Sequence, residues 1–194
     1  IAIMKVVEKQ GLLPDTAAGL SLGEYEALYA AGALSVTDAI RVVARRGELM
    51  EAAVPAGVGA MAAVLGAEAS LIEETLSEIP EVWIANYNCP GQIVISGKKE
   101  AVEAAAEALK ARGIKRVLML NVSGPFHSGL LREAGEELGK VLAETEIHPL
   151  RIPYYANVTG GIVEDAAKVR GLLTEQVYSS VRFEQSIRNM LSAG

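Results

Sequence analysis

Thr16-Ala17-Ala18-Gly19-Leu20-Ser21-Leu22-Gly23-Glu24-Tyr25 sets a short apolar run against a helix-forming stretch, with a serine between two glycines at the junction. The pattern predicts a strand, a sharp turn and a helix with Ser21 at the apex, which is the signature of an α/β chain. Small residues at both flanks suit such a turn, because its backbone angles are strained and the helix must pass close to the strand. A serine held there is exposed to a cleft as a nucleophile. The helix that follows aims free backbone N–H groups at developing negative charge, and the N–H of Leu22 is the natural oxyanion donor. The same five residues also arise by chance in a chain where 19 of 194 residues are glycine.

A serine nucleophile needs a base that accepts a proton near neutral pH, and the chain has two histidines. His148 precedes Pro149 and reads as a connection into a strand. His127 lies in the polar, Gly-Pro-containing segment from Asn121 to Ser128, between the apolar run Val117 to Leu120 and a long amphipathic stretch. Loops from strand to helix are where α/β chains place their chemistry, so His127 is the candidate base.

Ser35-Val36-Thr37-Asp38 resembles a capping box with Asp in place of Glu, opening a helix that runs to about Glu51. Val36, Ala39, Val43, Gly47 and Met50 share one face of it, and Arg41, Arg45 and Glu48 the other. Arg46 projects from the apolar face. A guanidinium there must meet a buried carboxylate, snorkel to water, or point into a polar cavity where its planar fork can bind a carboxylate on a substrate.

Between these features, Gly59 to Gly66 reads as a strand, Ala69 to Ile79 as a helix, Trp83 to Asn86 and Ile93 to Ser96 as strands joined at Cys89-Pro90-Gly91, Lys99 to Arg112 as a helix and Arg116 to Leu120 as a strand. That βαββαβ order is the ferredoxin-like unit. It predicts a small subdomain over 57–126 inserted into an α/β body made of 1–56 and 127–194, with the site at their seam. Beyond it, Ser128 to Glu144, Val169 to Val177 and Phe183 to Leu191 carry helical spacing, Tyr178 to Arg182 separates the last two, and Ile152 to Ala156 and Ile162-Val163 read as short strands around a turn.

Composition bounds the partners. Eighteen basic against 24 acidic residues give a net charge of −6, which disfavours nucleic acid and anionic membranes. No apolar stretch approaches the ~18 residues of a membrane span, and Ile1 to Val7 lacks the marks of a signal peptide. Cys89 is the single cysteine, so no intramolecular disulfide forms, as expected of a cytoplasmic chain. Two distant histidines and one cysteine make no metal site. Lys98, Lys99, Lys110, Arg112, Lys115 and Arg116 could form a basic patch, although such charges more often make a solvated face.

Taken in order, Gly19 to Tyr25 (GLSLGEY), Arg45 to Gly47 (RRG), Asn86 to Gly97 (NYNCPGQIVISG), Val122 to His127 (VSGPFH) and Asn157 to Gly160 (NVTG) resemble the malonyl-CoA:acyl carrier protein transacylase family across the whole chain. The resemblance implies an α/β-hydrolase-like body with a parallel sheet, and transfer of malonyl from CoA to a carrier's phosphopantetheine thiol through a malonyl-serine ester. It implies Ser21 as nucleophile, His127 as base, Arg46 as clamp on the malonyl carboxylate, and Gln176 as the residue whose backbone carbonyl orients the histidine. Phe126, beside the base, would crowd the carbon between the two carbonyls. Malonyl-CoA and acyl carrier protein are the implied partners, with no cofactor. The family usually has His where this chain has Leu20. The family's opening strand and its glutamine-containing loop, which supplies a second oxyanion N–H, have no match here, and the chain stops before a further strand. The implied cost of losing one donor is on the order of a hundredfold in turnover. Two other readings stay open: a serine esterase or thioesterase of α/β-hydrolase type sharing the elbow, and a non-catalytic carrier-binding fragment.

Overall fold

The computed structural model describes residues 1–193. In chain order these form α1 (Ala2–Lys9), β1 (Ala17–Ala18), α2 (Gly23–Ala30), α3 (Val36–Ala52), β2 (Gly59–Leu65), α4 (Ala69–Ser77), β3 (Val82–Cys89), β4 (Gln92–Lys98), α5 (Lys99–Ala111) and β5 (Arg116–Met119). There follow α6 (Arg132–Ala143), β6 (Tyr154–Tyr155), β7 (Ile162–Val163), α7 (Val169–Gln176), β8 (Val181–Arg182) and α8 (Phe183–Ala193). The chain is mixed α/β with two sheets. In one, β1 runs parallel to β6, which pairs antiparallel with β7. The other has the order β5-β2-β4-β3-β8, antiparallel throughout except where β3 meets β8.

Each sheet has its own core. Around the small sheet, Tyr25 and Leu28 of α2, Val42 of α3, Leu138 and Leu142 of α6, and Leu173 of α7 are buried together. Helices α4 and α5 cover one face of the larger sheet, where Ile72, Val102 and Leu109 pack on Val64, Ile84, Ile93 and Ile95. On its other face Met61, Ala85 and Val94 form a third cluster with Phe126, and this face looks toward the elbow.

Helix α3 starts where the Ser35 hydroxyl accepts the Asp38 N–H at 3.0 Å. The shorter Asp side chain does not reach back to the backbone as Glu would in a capping box. It takes the Ser35 hydroxyl instead, at 2.6 Å. The buried stripe of α3 runs through Ala39, Val42, Arg46 and Met50, which corrects the placing of Gly47: it is exposed, and borders the cleft instead of the core.

Two further segments differ from the sequence reading. Tyr178 to Arg182 is no mere separator: Val181 and Arg182 form β8, in register with Asn86 and Tyr87, because the open edge of β3 supplies hydrogen bonds that no local pattern announces. Residues 129–131 form a single 3₁₀ turn before α6, so the helix expected from Ser128 begins at Arg132. Among the described residues no helix is long and apolar enough to cross a membrane.

Candidate active site

The elbow is built as its spacing requires. Ser21 lies at φ 53°, in the left-handed region that a non-glycine residue occupies only under constraint. The constraint comes from Asn157: its Oδ1 accepts the Ser21 N–H at 2.7 Å and its Nδ2 donates to the Gly19 carbonyl at 2.7 Å, bracing the turn on both sides. The two flanking glycines differ in need. A Cβ on Gly19 would lie 1.9 Å from the Gly23 carbonyl oxygen, whereas one on Gly23 would meet nothing within 4 Å. The requirement for a small residue therefore falls on Gly19 alone, since the backbone of Gly23 is what crosses over it.

His127 is also held at positive φ, 56°, by the loop that delivers it. Its ring bridges two partners. Nε2 lies 2.6 Å from the Ser21 hydroxyl and Nδ1 lies 2.8 Å from the Gln176 backbone carbonyl. A carbonyl can only accept, so Nδ1 carries the proton and Nε2 presents its lone pair to the serine. Burial is the main cause that pushes the His127 pKa down, to about 4, the nearby Arg46 charge adds to it, and the Gln176 carbonyl opposes both. The imidazole is thus neutral at physiological pH.

Arg46 reaches the same point from α3. Its Nη2 donates to Ser21 Oγ at 3.2 Å and to Gln176 Oε1 at 3.3 Å, while its charge sits 5.8 Å over the Tyr25 ring. Among the described residues no carboxylate lies within ion-pairing distance of it. Arg46 is nonetheless only 7% exposed. Burial accordingly pulls its pKa below the usual arginine value, partly offset by Tyr25 and Glu24.

A cavity of about 570 Å³ opens over these groups, lined by Ser21, Arg46, Met61, Asn86, Phe126 and His127 among others, with Glu51 also in its lining. Ser21, His127, Arg46 and Phe126 therefore come together in one cleft, with Gln176 buried directly behind it. The N–H of Leu22 precedes the first turn of α2 and meets no protein acceptor among the described residues.

Three residues escaped the reading of the sequence as site residues. Glu24 is fully buried, its Oε2 accepting from Gln176 Nε2 at 2.8 Å and from the Asn157 backbone at 3.2 Å. Burial lifts its carboxyl to about 7 against the pull of those hydrogen bonds. Asn157 braces the elbow from a distant turn. Asn86 enters the cleft because β3 slips register between Ile84 and Asn86, so that Asn86 rather than Ala85 pairs with Val94. A charged residue in a first helical turn and two asparagines near turns have ordinary surface readings, and only their appearance within motifs pointed elsewhere.

All 194 residues match the model of the acyl transferase domain. The chain belongs to that family. It is 47% identical over 198 residues to a malonyl CoA-acyl carrier protein transacylase of Bacillus subtilis, covering 100% of this chain and 62% of that relative. An acyl carrier protein S-malonyltransferase from Vibrio cholerae superposes with a TM-score of 0.96 at 42% identity, over 100% of this chain and 64% of that one. A malonyl-transacylase solved in complex with its type II PKS acyl-carrier protein does so with a TM-score of 0.96 at 40% identity and the same coverage, 100% and 64%. This acyl transferase domain thus spans a little under two thirds of the length of the relatives it matches. Among its described residues no group of three or more His, Cys, Asp or Glu is placed to hold a metal ion.

Proposed function

We propose that this chain carries the acyl-transfer site of a malonyl-CoA:acyl carrier protein transacylase. The observation that carries the reading is a buried guanidinium with no carboxylate partner, hydrogen-bonded to the hydroxyl of a serine that a neutral histidine can deprotonate. Such an arrangement suits an acyl group that brings its own carboxylate.

In the first step Ser21 Oγ attacks the thioester carbonyl carbon as its proton passes to His127 Nε2. The oxyanion that forms sits against the Leu22 N–H at the start of α2. Collapse breaks the C–S bond, the imidazolium returns its proton to the departing CoA sulfur, and a malonyl-serine ester remains. The carrier's phosphopantetheine thiol then gives its proton to His127, attacks the ester, and the Ser21 alkoxide recovers that proton. The Gln176 carbonyl stabilises the imidazolium in the place an acid would take in a Ser-His-Asp triad. The absence of a carboxylate on Nδ1 speaks against the esterase reading. No step calls on a cofactor.

Arg46 supplies the selection. An acetyl donor leaves the buried guanidinium without an anion to pair with, which is costly. Phe126 packs with Met61, Ala85 and Val94 along the same wall, which favours malonyl over a donor methylated at the central carbon. The basic residues of this region offer the carrier no single patch: Lys98, Lys110 and Arg112 are already paired with Glu81, Glu107 and Glu74, and Lys99 and Arg116 lie at opposite ends of β2. For the architecture, the strand order β5-β2-β4-β3 with α4 and α5 on one face supports a ferredoxin-like subdomain over 57–126 within an α/β-hydrolase-like body of 1–56 and 127–194. A cytoplasmic location fits the single exposed cysteine.

The test is Arg46→Ala, assayed with malonyl-CoA and acetyl-CoA in the full-length enzyme. Malonyl transfer should fall by about a hundredfold or more while acetyl transfer holds or rises. An equal loss for both donors would make Arg46 structural and remove the reading.

A further inference from the structure

Gln176 has two separate ends at the site, and only its backbone carbonyl is used in the mechanism above. Its side chain is fully buried and makes contacts of a different kind. The amide nitrogen donates to Glu24 Oε2 at 2.8 Å and to the Ser21 carbonyl at 2.9 Å, with Asn157 Oδ1 at 3.4 Å. The amide oxygen accepts from Arg46 Nη2 at 3.3 Å.

These partners allow one orientation. Turned over, the amide would set its oxygen against three oxygens and its N–H₂ against a guanidinium, leaving buried groups of like polarity facing each other. Glu24 makes the choice firm, because its carboxylate can only accept when ionised and still accepts through Oε2 when Oε1 is protonated. The amide oxygen is therefore held toward Arg46, where it fixes Nη2 at the serine. Nη1 has no protein partner among the described residues, and Arg46 lines the cavity. The amide is neutral, so it steers the guanidinium without cancelling the charge that an incoming carboxylate needs.

We propose that the side-chain amide of Gln176, anchored on Glu24, is a specificity-positioning group that holds Arg46 turned toward the acyl carboxylate and ties that clamp to the nucleophile elbow. The proposal rests on the malonyl reading of the site. It separates the two ends of Gln176: the backbone carbonyl serves the base, and the side chain serves selection.

The experiment is Gln176→Met in the full-length enzyme, which keeps the carbonyl on His127 and much of the side-chain volume but removes the amide. The ratio of malonyl to acetyl kcat/KM should fall about tenfold, carried mainly by a higher KM for malonyl-CoA, since a misdirected clamp is a positioning fault. Both donors are assayed on one preparation, so a loss of folded protein cancels in the ratio. Glu24→Leu, which removes the amide's anchor but keeps the Arg46 side chain, should move the ratio the same way by a smaller factor. In an Arg46→Ala background neither substitution should change the ratio further. An unchanged ratio in Gln176→Met, or an equal change with and without Arg46, overturns the positioning role. A wild-type enzyme with no malonyl preference, or one whose preference survives Arg46→Ala, overturns the functional reading itself.

Discussion

The chemistry of the site is concentrated in a few backbone and side-chain constraints that can be tested one residue at a time. Ser21 and His127 both sit at positive φ, 53° and 56°, so each is held off its preferred backbone by its surroundings. The steric demand behind Ser21 lies at Gly19, whose Cβ position is filled by the Gly23 carbonyl. Gly19→Ala should therefore cost roughly 3 kcal/mol or more, or prevent folding, as backbone must move against backbone. Gly23→Ala, in open space at the first position of α2, should stay within about 1 kcal/mol of wild type by denaturant titration. The proposed base offers a second test. With its pKa lowered to about 4 by burial and then by Arg46, His127 stays neutral well below the usual histidine range. The rate of Ser21 acylation should hold steady as pH falls through 6.5 and drop only toward 4. Arg46→Gln, which removes the second cause and leaves the first, should move that drop to higher pH in the same pH–rate profile.

At the scale of elements, a helix carries Arg46 to the cleft and a strand irregularity turns Asn86 into it. Arg46 is delivered by α3, whose first turn is closed by Ser35 accepting from Asp38. Ser35→Ala should cost about 1 kcal/mol in a denaturation experiment and leave the malonyl-to-acetyl ratio unchanged, because the cap sets the stability of α3 and not the direction of the guanidinium. Strand β3 shows the opposite case. Its bulge at Ala85 turns Asn86 onto the same face as Val94 and hence into the cleft, and an unbroken strand would aim it at the α4 and α5 side. Capping chemistry is local and can be read from four residues. A bulge depends on how a strand registers with its neighbour, which period-2 alternation does not reveal.

Over the whole molecule, the site is a meeting of two layers and carries a buried acid as part of its frame. Glu24 is fully buried and its carboxyl is raised to about 7, chiefly by burial. A pKa raised above the unfolded value means the folded chain holds the proton more tightly. The corresponding stability is full below the ordinary carboxylate range and is lost as pH rises through about 7. Wild type should therefore lose roughly 1.4 kcal/mol between pH 6 and 8. Glu24→Gln, measured by denaturant unfolding at the two pH values, should flatten that difference. His127 works in the reverse sense, its contribution being present above 6.5 and lost as pH falls through about 4.

The sequence by itself determined the strand–turn–helix at Ser21, the helix that buries Arg46 and the order of elements between Gly59 and Met119, because spacing, caps and glycines act through neighbours along the chain. It marked Ser21, His127 and Arg46 as unusual by type and place. Only the tertiary structure decided that an imidazole and a guanidinium from two other stretches both reach Ser21 Oγ, at 2.6 and 3.2 Å. The same holds for Val181 and Arg182 completing the β3 edge, and for Glu24, Asn157 and the Gln176 side chain closing one buried network. A carboxylate or an amide reads as a surface residue in any local window. Its burial is set by which distant groups arrive to satisfy it, and that is a property of the packed chain.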